Sequence, residues 1–302
     1  LYQTIAPLER VMVSCRVSKY VNQSFIKAGY IYDVATSIVT RTKWFEYSSF
    51  QSILHSIWAW KNGSTFESRI RYISADCIDT YPIPIRNHEN LNSIGKTYHE
   101  HRQKLMLSME LGLTKTYNAF HAPDIQPGIE TEKISQLQQR EIEKQYGKGT
   151  WNLWNHLQKT ENACSIEEAV EGIVKLRELH VEMDNAVLES YGWRDIDLHH
   201  DFYEVDYLPE NDRVRFTIHP QARKEVLKRL LQLNHERFEE EAKKGLHKEK
   251  VVREFYQQKG QEVPKEIIDK IKEVEKEKKK KKTTTKTNPK KKKGMDGQGK
   301  MF

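Results

Sequence analysis

Cysteine is scarce in this chain of 302 residues: Cys15, Cys77 and Cys164 stand far apart, and no CxxC pair occurs. That spacing supplies no metal framework and suits a reducing compartment, so a cytoplasmic protein is expected. A Gly-rich nucleotide loop after a strand is missing, so a dinucleotide or ATP site is not expected. Missing too are an H-E-x-x-H stretch, a Cys/His cluster and the context of a nucleophile elbow. No catalytic, cofactor-binding or metal-ligating residue is therefore assigned. The twelve histidines are scattered. The adjacent pair His199-His200 reads as a solvent-facing loop, and His180, on an apolar stripe, as a satisfied core histidine. No apolar run approaches a membrane span and no secretory signal is visible, so no membrane partner is expected. The chain opens at Leu1, on what reads as the approach to a strand, and a piece of a longer polypeptide is the expectation.

Charge is present in quantity but divided. Residues 246–302 hold 19 Lys+Arg against 9 Asp+Glu, a net +10, which leaves −3 of the overall +7 for the rest. A mildly acidic body is no general nucleic-acid sponge. If it binds DNA, it does so through a local patch. The Lys-rich run after Glu277 cannot bury enough apolar surface to offset ordering entropy, so it is expected to be disordered. It reads equally as a solubilising tail and as a salt-sensitive phosphate tether.

The periodicity predicts an α+β chain: a mixed strand and helix module followed by a mainly helical part with one hairpin. Strands are expected over 8–20, 24–31 and 36–40. A helix over 46–60 buries Phe50, Ile53, Leu54, Ile57 and Trp58, and a strand follows over 66–73. Helices are then expected over 89–112, over 166–191 with Gly192 as cap, and from Pro220 to about Lys244. Residues 122–165 read as a polar insertion, with Trp151 and Trp154 as anchors. Two short strands, 202–207 and 213–218, read as a hairpin. Weak helices are expected over 251–256 and 267–274.

The most informative stretch is T-F-E-S-R-I-R-Y-I-S-A-D-C-I-D-T-Y-P-I-P, Thr65–Pro84. It puts Glu67, Arg69 and Arg71 at alternate positions, which one strand would point to one face. Glu accepts from cytosine N4, and Arg donates two bonds to guanine O6 and N7. Such a face can read base edges. An exposed edge strand with charges that block aggregation would look the same. Pro82 and Pro84 are expected to stop the strand.

Six segments in order resemble one family. They are V-S-K-Y (Val17–Tyr20), Ile57-Trp58-Ala59, Arg71–Pro84, G-L-T-K-T-Y-N-A-F-H (Gly112–His121), Leu176–Trp193 and L-L-Q-L-N-H-E-R (Leu230–Arg237). Together they are similar to the C-terminal part of MmeI-like (type IIG/IIL) restriction–modification enzymes and related adenine-specific DNA methyltransferases. The resemblance implies a DNA target-recognition domain over 1–85, truncated at its N-terminus. It implies a helical connector over 86–121 and a helical C-terminal domain over 166–245, while the length of the insertion 122–165 and the basic tail 246–302 depart from the family pattern. It implies base recognition by Glu67, Arg69 and Arg71, with Ala35 as a facing position, and phosphate contacts from Arg16, Lys19 and Lys115. Double-stranded DNA and a fused or associated methyltransferase domain are the implied partners. S-adenosylmethionine, and Mg2+ where a nuclease is attached, belong to the parent protein and not to this chain, since its only Asn-Pro, Asn288-Pro289, lies in the Lys-rich tail. A non-catalytic DNA-specificity subunit, acting with a separate methyltransferase or nuclease, is the alternative reading of the same residues.

Overall fold

The computed structural model describes residues 2–86 and 88–285, and the chain is α+β. A short helix α1 (Tyr2–Ile5) leads into strands β1 (Arg10–Cys15), β2 (Val17–Ser18), β3 (Ser24–Lys27) and β4 (Thr36–Val39). Helices α2 (Trp44–Gln51) and α3 (Ile53–Asn62) follow, then strands β5 (Ser64–Phe66) and β6 (Arg69–Arg71). The helical part comprises α4 (His88–Ser108), α5 (Leu113–Phe120), α6 (Thr131–Ile134), α7 (Gln139–Gln145), α8 (Lys148–Leu157) and α9 (Ile166–Tyr191). Strands β7 (Asp201–Glu204) and β8 (Val214–Thr217) form the hairpin, and α10 (Pro220–Lys243), α11 (Glu249–Gln258) and α12 (Lys265–Thr285) complete the order.

Packing divides the chain into two compact units between Leu231 and Gln232. In the first, β1 is the centre of an antiparallel sheet ordered β3-β1-β4. The chain then changes sheets at one residue, Arg16, and β2 joins a second antiparallel sheet ordered β2-β6-β5. Helix α4 lies against both α2 and α9. One continuous core runs from Met12 to Leu230. Residues 122–165 enter that core through Ile125, Ile129, Ile134, Ile142, Leu153 and Leu157, with Trp154 buried beside them. In the second unit α11 and α12 bury Val252, Tyr256, Ile267 and Ile271 around Ala242.

Helix α9 spans the predicted 166–191. Ser165 accepts from Glu168 N–H while the Glu168 carboxylate accepts from Ser165 N–H, a reciprocal cap, and Gly192 ends the helix at φ 80. The predicted single helix 46–60 is instead two. Ser52, at φ −63 and ψ 156, breaks it, and the freed Ile53 N–H donates to Asp184 Oδ1 at 2.8 Å. A serine is a strong N-cap, so the break follows local chemistry that the apolar stripe conceals. The helix predicted over 89–112 ends at Ser108, and Glu110 takes φ 50. The C-terminal helices run longer than 251–256 and 267–274. α12 continues to Thr285, eight residues beyond the expected onset of disorder after Glu277; the rest of the Lys-rich run lies outside the described residues.

Candidate nucleic-acid interface

Strand β6 holds two of the predicted readers. Ile70 is 0% exposed, packed in the core, and sets which way its neighbours point. Arg69 and Arg71 therefore both stand on the outer, exposed face. Val17 of β2 and Ser64 of β5 flank Arg71, and Phe66 of β5 pairs with Arg69. The Arg69 guanidinium lies 5.5 Å from the Phe66 ring centroid.

Glu67 is not on that strand. The predicted strand 66–73 is a hairpin in which Phe66 pairs with Arg69, so Glu67 and Ser68 form a two-residue turn. Two-residue hairpins need positive φ in the turn, and Glu67 takes φ 54, a position where a side chain is strained. No Asn-Gly or Asp-Gly pair announces this turn in the sequence. The Glu67 carboxylate instead accepts from the Arg69 guanidinium. Both groups are exposed, so the pair adds at most about 1 kcal/mol and can open to other partners.

The strand exit also differs from the reading. β6 stops at Arg71, and one π-helical turn, Ser74–Ile78, intervenes before Pro82 and Pro84. The next residue, Tyr72, is buried. Its hydroxyl accepts from Gln23 Nε2 at 2.9 Å and meets His55 Nε2 at 2.8 Å. Burial raises the Tyr72 phenol well above its ordinary range and lowers His55 to about 3, so both are neutral near pH 7. The Tyr72 proton thus belongs to the bond with His55 Nε2, which fixes the residue that follows Arg71.

Arg16 joins the two sheets. Its N–H donates to Ala35 C=O at 2.8 Å, and its C=O accepts from Tyr72 N–H at 2.7 Å. Ala35 is exposed, and its own N–H donates to Asp33 Oδ1 at 2.6 Å. Backbone bonds thus bring Ala35, Arg16 and the end of β6 together, and Arg16 is itself exposed. Lys19 is placed differently. It is half-buried and forms an ion pair at 2.8 Å with Asp212, in the loop that joins β7 to β8. Lys115 lies on α5, exposed, and not on either sheet.

Sequence reasoning missed Arg215. It repeats the R-x-R spacing of Arg69 and Arg71, but here the middle residue, Val214, is exposed and Arg215 is 6% exposed. Its guanidinium lies 3.0 Å from Asp212 Oδ1 and 5.5 Å from the Tyr20 ring centroid. Asp212 therefore serves both Lys19 and Arg215. Nothing in the hairpin's alternation distinguishes an inward arginine from an outward one.

The pair His199-His200 is also divided. His199 is exposed at φ 43, whereas the His200 side chain is buried and meets Asp184 Oδ2 at 2.8 Å. His180 Nε2 lies 3.6 Å from the same oxygen, and its Nδ1 is 3.2 Å from Tyr98 Oη. Asp184 is 0% exposed and also holds the N-terminus of α3. This cluster resembles catalytic machinery by type alone. The cavity that His180 lines with Tyr20, His121 and Arg215 has about 50 Å³, room for a water or two. The cluster is a buried structural network that ties α9 to α3.

Among the described residues no group of three His, Cys, Asp or Glu is placed to hold a metal, and no helix is long and apolar enough to cross a membrane. No protein-family model matches the chain, and no curated protein matches it. Among solved structures, that of the type IIL restriction–modification enzyme MmeI in complex with DNA is similar to 76% of this chain, with a TM-score of 0.38 and 13% identity. The similarity spans 21% of that longer chain. At this level the likeness bears no functional weight, and the reading below rests on the residues.

Proposed function

We propose that this chain reads DNA sequence, as the recognition portion of an adenine-N6 DNA methyltransferase of the restriction–modification type. The observation that supports this is the display of Arg69 and Arg71, two residues apart on the exposed face of β6, with the buried Ile70 locking their direction. Alternate residues on a strand are about 6.6 Å apart, and successive bases about 3.4 Å. The two guanidinium forks thus address base pairs about two steps apart. The major groove admits a two-stranded ribbon, and β5–β6 is one. Glu67, at the tip, either keeps its bond to Arg69 or accepts from a cytosine amine. Ala35, adjoining Arg16, presents a small apolar contact of the kind a thymine methyl takes. Arg16 sets register on phosphate. Lys19 reaches phosphate only by leaving Asp212, which makes it the weaker of the two phosphate contacts.

In this reading S-adenosylmethionine and the methyl-transfer residues belong to a companion methyltransferase domain. That domain flips the adenine out of the stack for chemistry. Where a nuclease is attached, Mg2+ belongs to it.

The test is selection of bound duplexes from a random library by the wild type, Arg69→Ala and Arg71→Ala. The wild type is expected to enrich one short motif. Each variant should relax one position of it by about 1–3 kcal/mol, roughly 5- to 150-fold. An unchanged motif in both variants, or no motif with the wild type, removes the reading.

A further inference from the structure

A second site lies away from the sheets, between α5 and α8. The cleft there has about 470 Å³, the size of a small-ligand site. Lys115, Asn118, Asn152, Asn155, His156 and Lys159 supply its polar lining. Its chemistry is one-sided. The chain carries 43 Asp+Glu in 302 residues, yet none occurs from Leu111 to Phe120 or from Tyr146 to Thr160, the two stretches that build these walls. Asp124 packs under Gly149, but its carboxylate accepts from Thr150 N–H at 2.8 Å and is taken up as the cap of α8.

The two lysines have no side-chain partner among the described residues. Neither Lys115 nor Lys159 joins an ion pair or a side-chain hydrogen bond among the described residues, whereas Lys19, Lys133, Lys175 and Lys270 each meet a carboxylate. The amides are similarly uncommitted. Asn is a poor residue for a helix interior, because it competes with the backbone for hydrogen bonds. Asn152 and Asn155 nevertheless sit within α8, three apart and on one side, with no side-chain hydrogen bond among the described residues. Asn118 Oδ1 accepts from Tyr20 Oη at 2.7 Å, which fixes that amide and leaves its NH2 as a donor. His156 Nε2–H donates to Met109 C=O at 3.0 Å, so Nδ1 is left as an acceptor. Leu111 and Leu153 give the cleft an apolar wall.

Two free cations, amides that both donate and accept, an acceptor nitrogen and an apolar wall fit one ligand class. We infer that this cleft binds a nucleotide phosphate ester, with Lys115 and Lys159 on the phosphate and Asn152 and Asn155 on the polar edge of its sugar or base. The inference goes beyond the reading of sequence by β6 and does not depend on it. The ester can come from a free mononucleotide or from a nucleotide of a DNA strand.

The experiment uses the full chain, in wild-type form and as the variants Lys115→Gln/Lys159→Gln and Asn152→Ala/Asn155→Ala. Both replace exposed or half-exposed groups with residues no worse for a helix, and circular dichroism checks the fold. Adenosine monophosphate is titrated by calorimetry, and a 16-base-pair duplex of arbitrary sequence by fluorescence anisotropy over a range of salt. If the wild type binds the mononucleotide and both variants weaken it by about tenfold or more, the ligand is free nucleotide. If only the duplex is bound, and the lysine variant lowers its affinity for all sequences and its salt slope by about two, the ester is that of DNA. Unchanged binding of both probes in the lysine variant overturns the site. Loss of motif selection in Arg69→Ala leaves this result untouched, so the two readings fail separately.

Discussion

Lowering the pH from 7 to 5 is expected to destabilise the first unit through His55. The ring is completely buried, meets the Tyr72 hydroxyl at 2.8 Å through Nε2, and has no carboxylate partner among the described residues. Burial lowers it to about 3, against about 6.5 in an unfolded chain. A histidine depressed in this way adds stability above pH 6.5, because the unfolded state gains no proton there. That contribution is lost as pH falls from 6.5 toward 3, where only the unfolded state is protonated. At pH 5 the unfolded state is favoured by about 1.5 pH units of proton binding, which is about 2 kcal/mol. Most of this is absent at pH 7. His99, lowered to about 4, and His180, also lowered by burial, act in the same direction, so the wild type loses more than His55 alone removes. The assay is urea unfolding at pH 7 and pH 5 for the wild type and for His55→Gln, which keeps an acceptor for the Tyr72 hydroxyl but does not titrate. His55→Gln should be less stable at pH 7, yet lose about 2 kcal/mol less than the wild type between the two pH values. An equal loss in both proteins would falsify the neutral, buried assignment of His55. Because Tyr72 follows Arg71, the same acidification should also blur any motif selected by β6.

Two structural predictions accompany this one. Arg177 donates to the carbonyls of Ala119, Phe120, Ala122 and Ile125, gathering the C=O groups at and just beyond the end of α5, and burial lowers it to about 10. Arg177→Met should therefore cost about 2–4 kcal/mol in urea unfolding, since the Phe120 and Ile125 carbonyls lose their donor and those of Ala119 and Ala122 lose one of two; a change below about 1 kcal/mol would contradict that role. Asp184→Ala removes the group that holds His200 and the Ile53 N–H, and should cost about 3 kcal/mol and lower the hydrogen-exchange protection at the start of α3. Unaltered exchange at Ile53 would show that the α2–α3 break does not depend on this carboxylate.

The two R-x-R strands show what a single sequence can carry. Around Arg69 the pattern is arginine, isoleucine, arginine; around Arg213 it is arginine, valine, arginine. Arg213 lies just before β8, but Arg69 and Arg71 share a face within β6, as alternation says. Alternation does not say which face meets the core. In β6 the core takes Ile70 and leaves the arginines outside. In β8 the hairpin lies the other way, and Arg215 is buried against Tyr20 and Asp212. Lys19 and His200 were illegible for a related reason: their partners, Asp212 and Asp184, are distant in the chain, and charge pairing across such separations leaves no periodic trace. The turn at Glu67 was hidden because its residue types are not those that favour positive φ.

By itself the sequence determined what local physics decides. The stripe Ile166–Tyr191, bounded by Ser165, Glu168 and Gly192, specifies α9 from cap to cap, and the α+β order of elements follows from periods of about two and 3.6 residues. It also determined that charge is divided between an acidic body and a basic end, and that the walls of the α5–α8 cleft hold no carboxylate. Only the tertiary structure decided which arginines face outward, that Arg16 joins the sheets beside Ala35, and that Lys115 and Lys159 line one cleft. Side-chain direction and long-range pairing depend on which surfaces the core excludes from water, and that is a property of the whole packed unit.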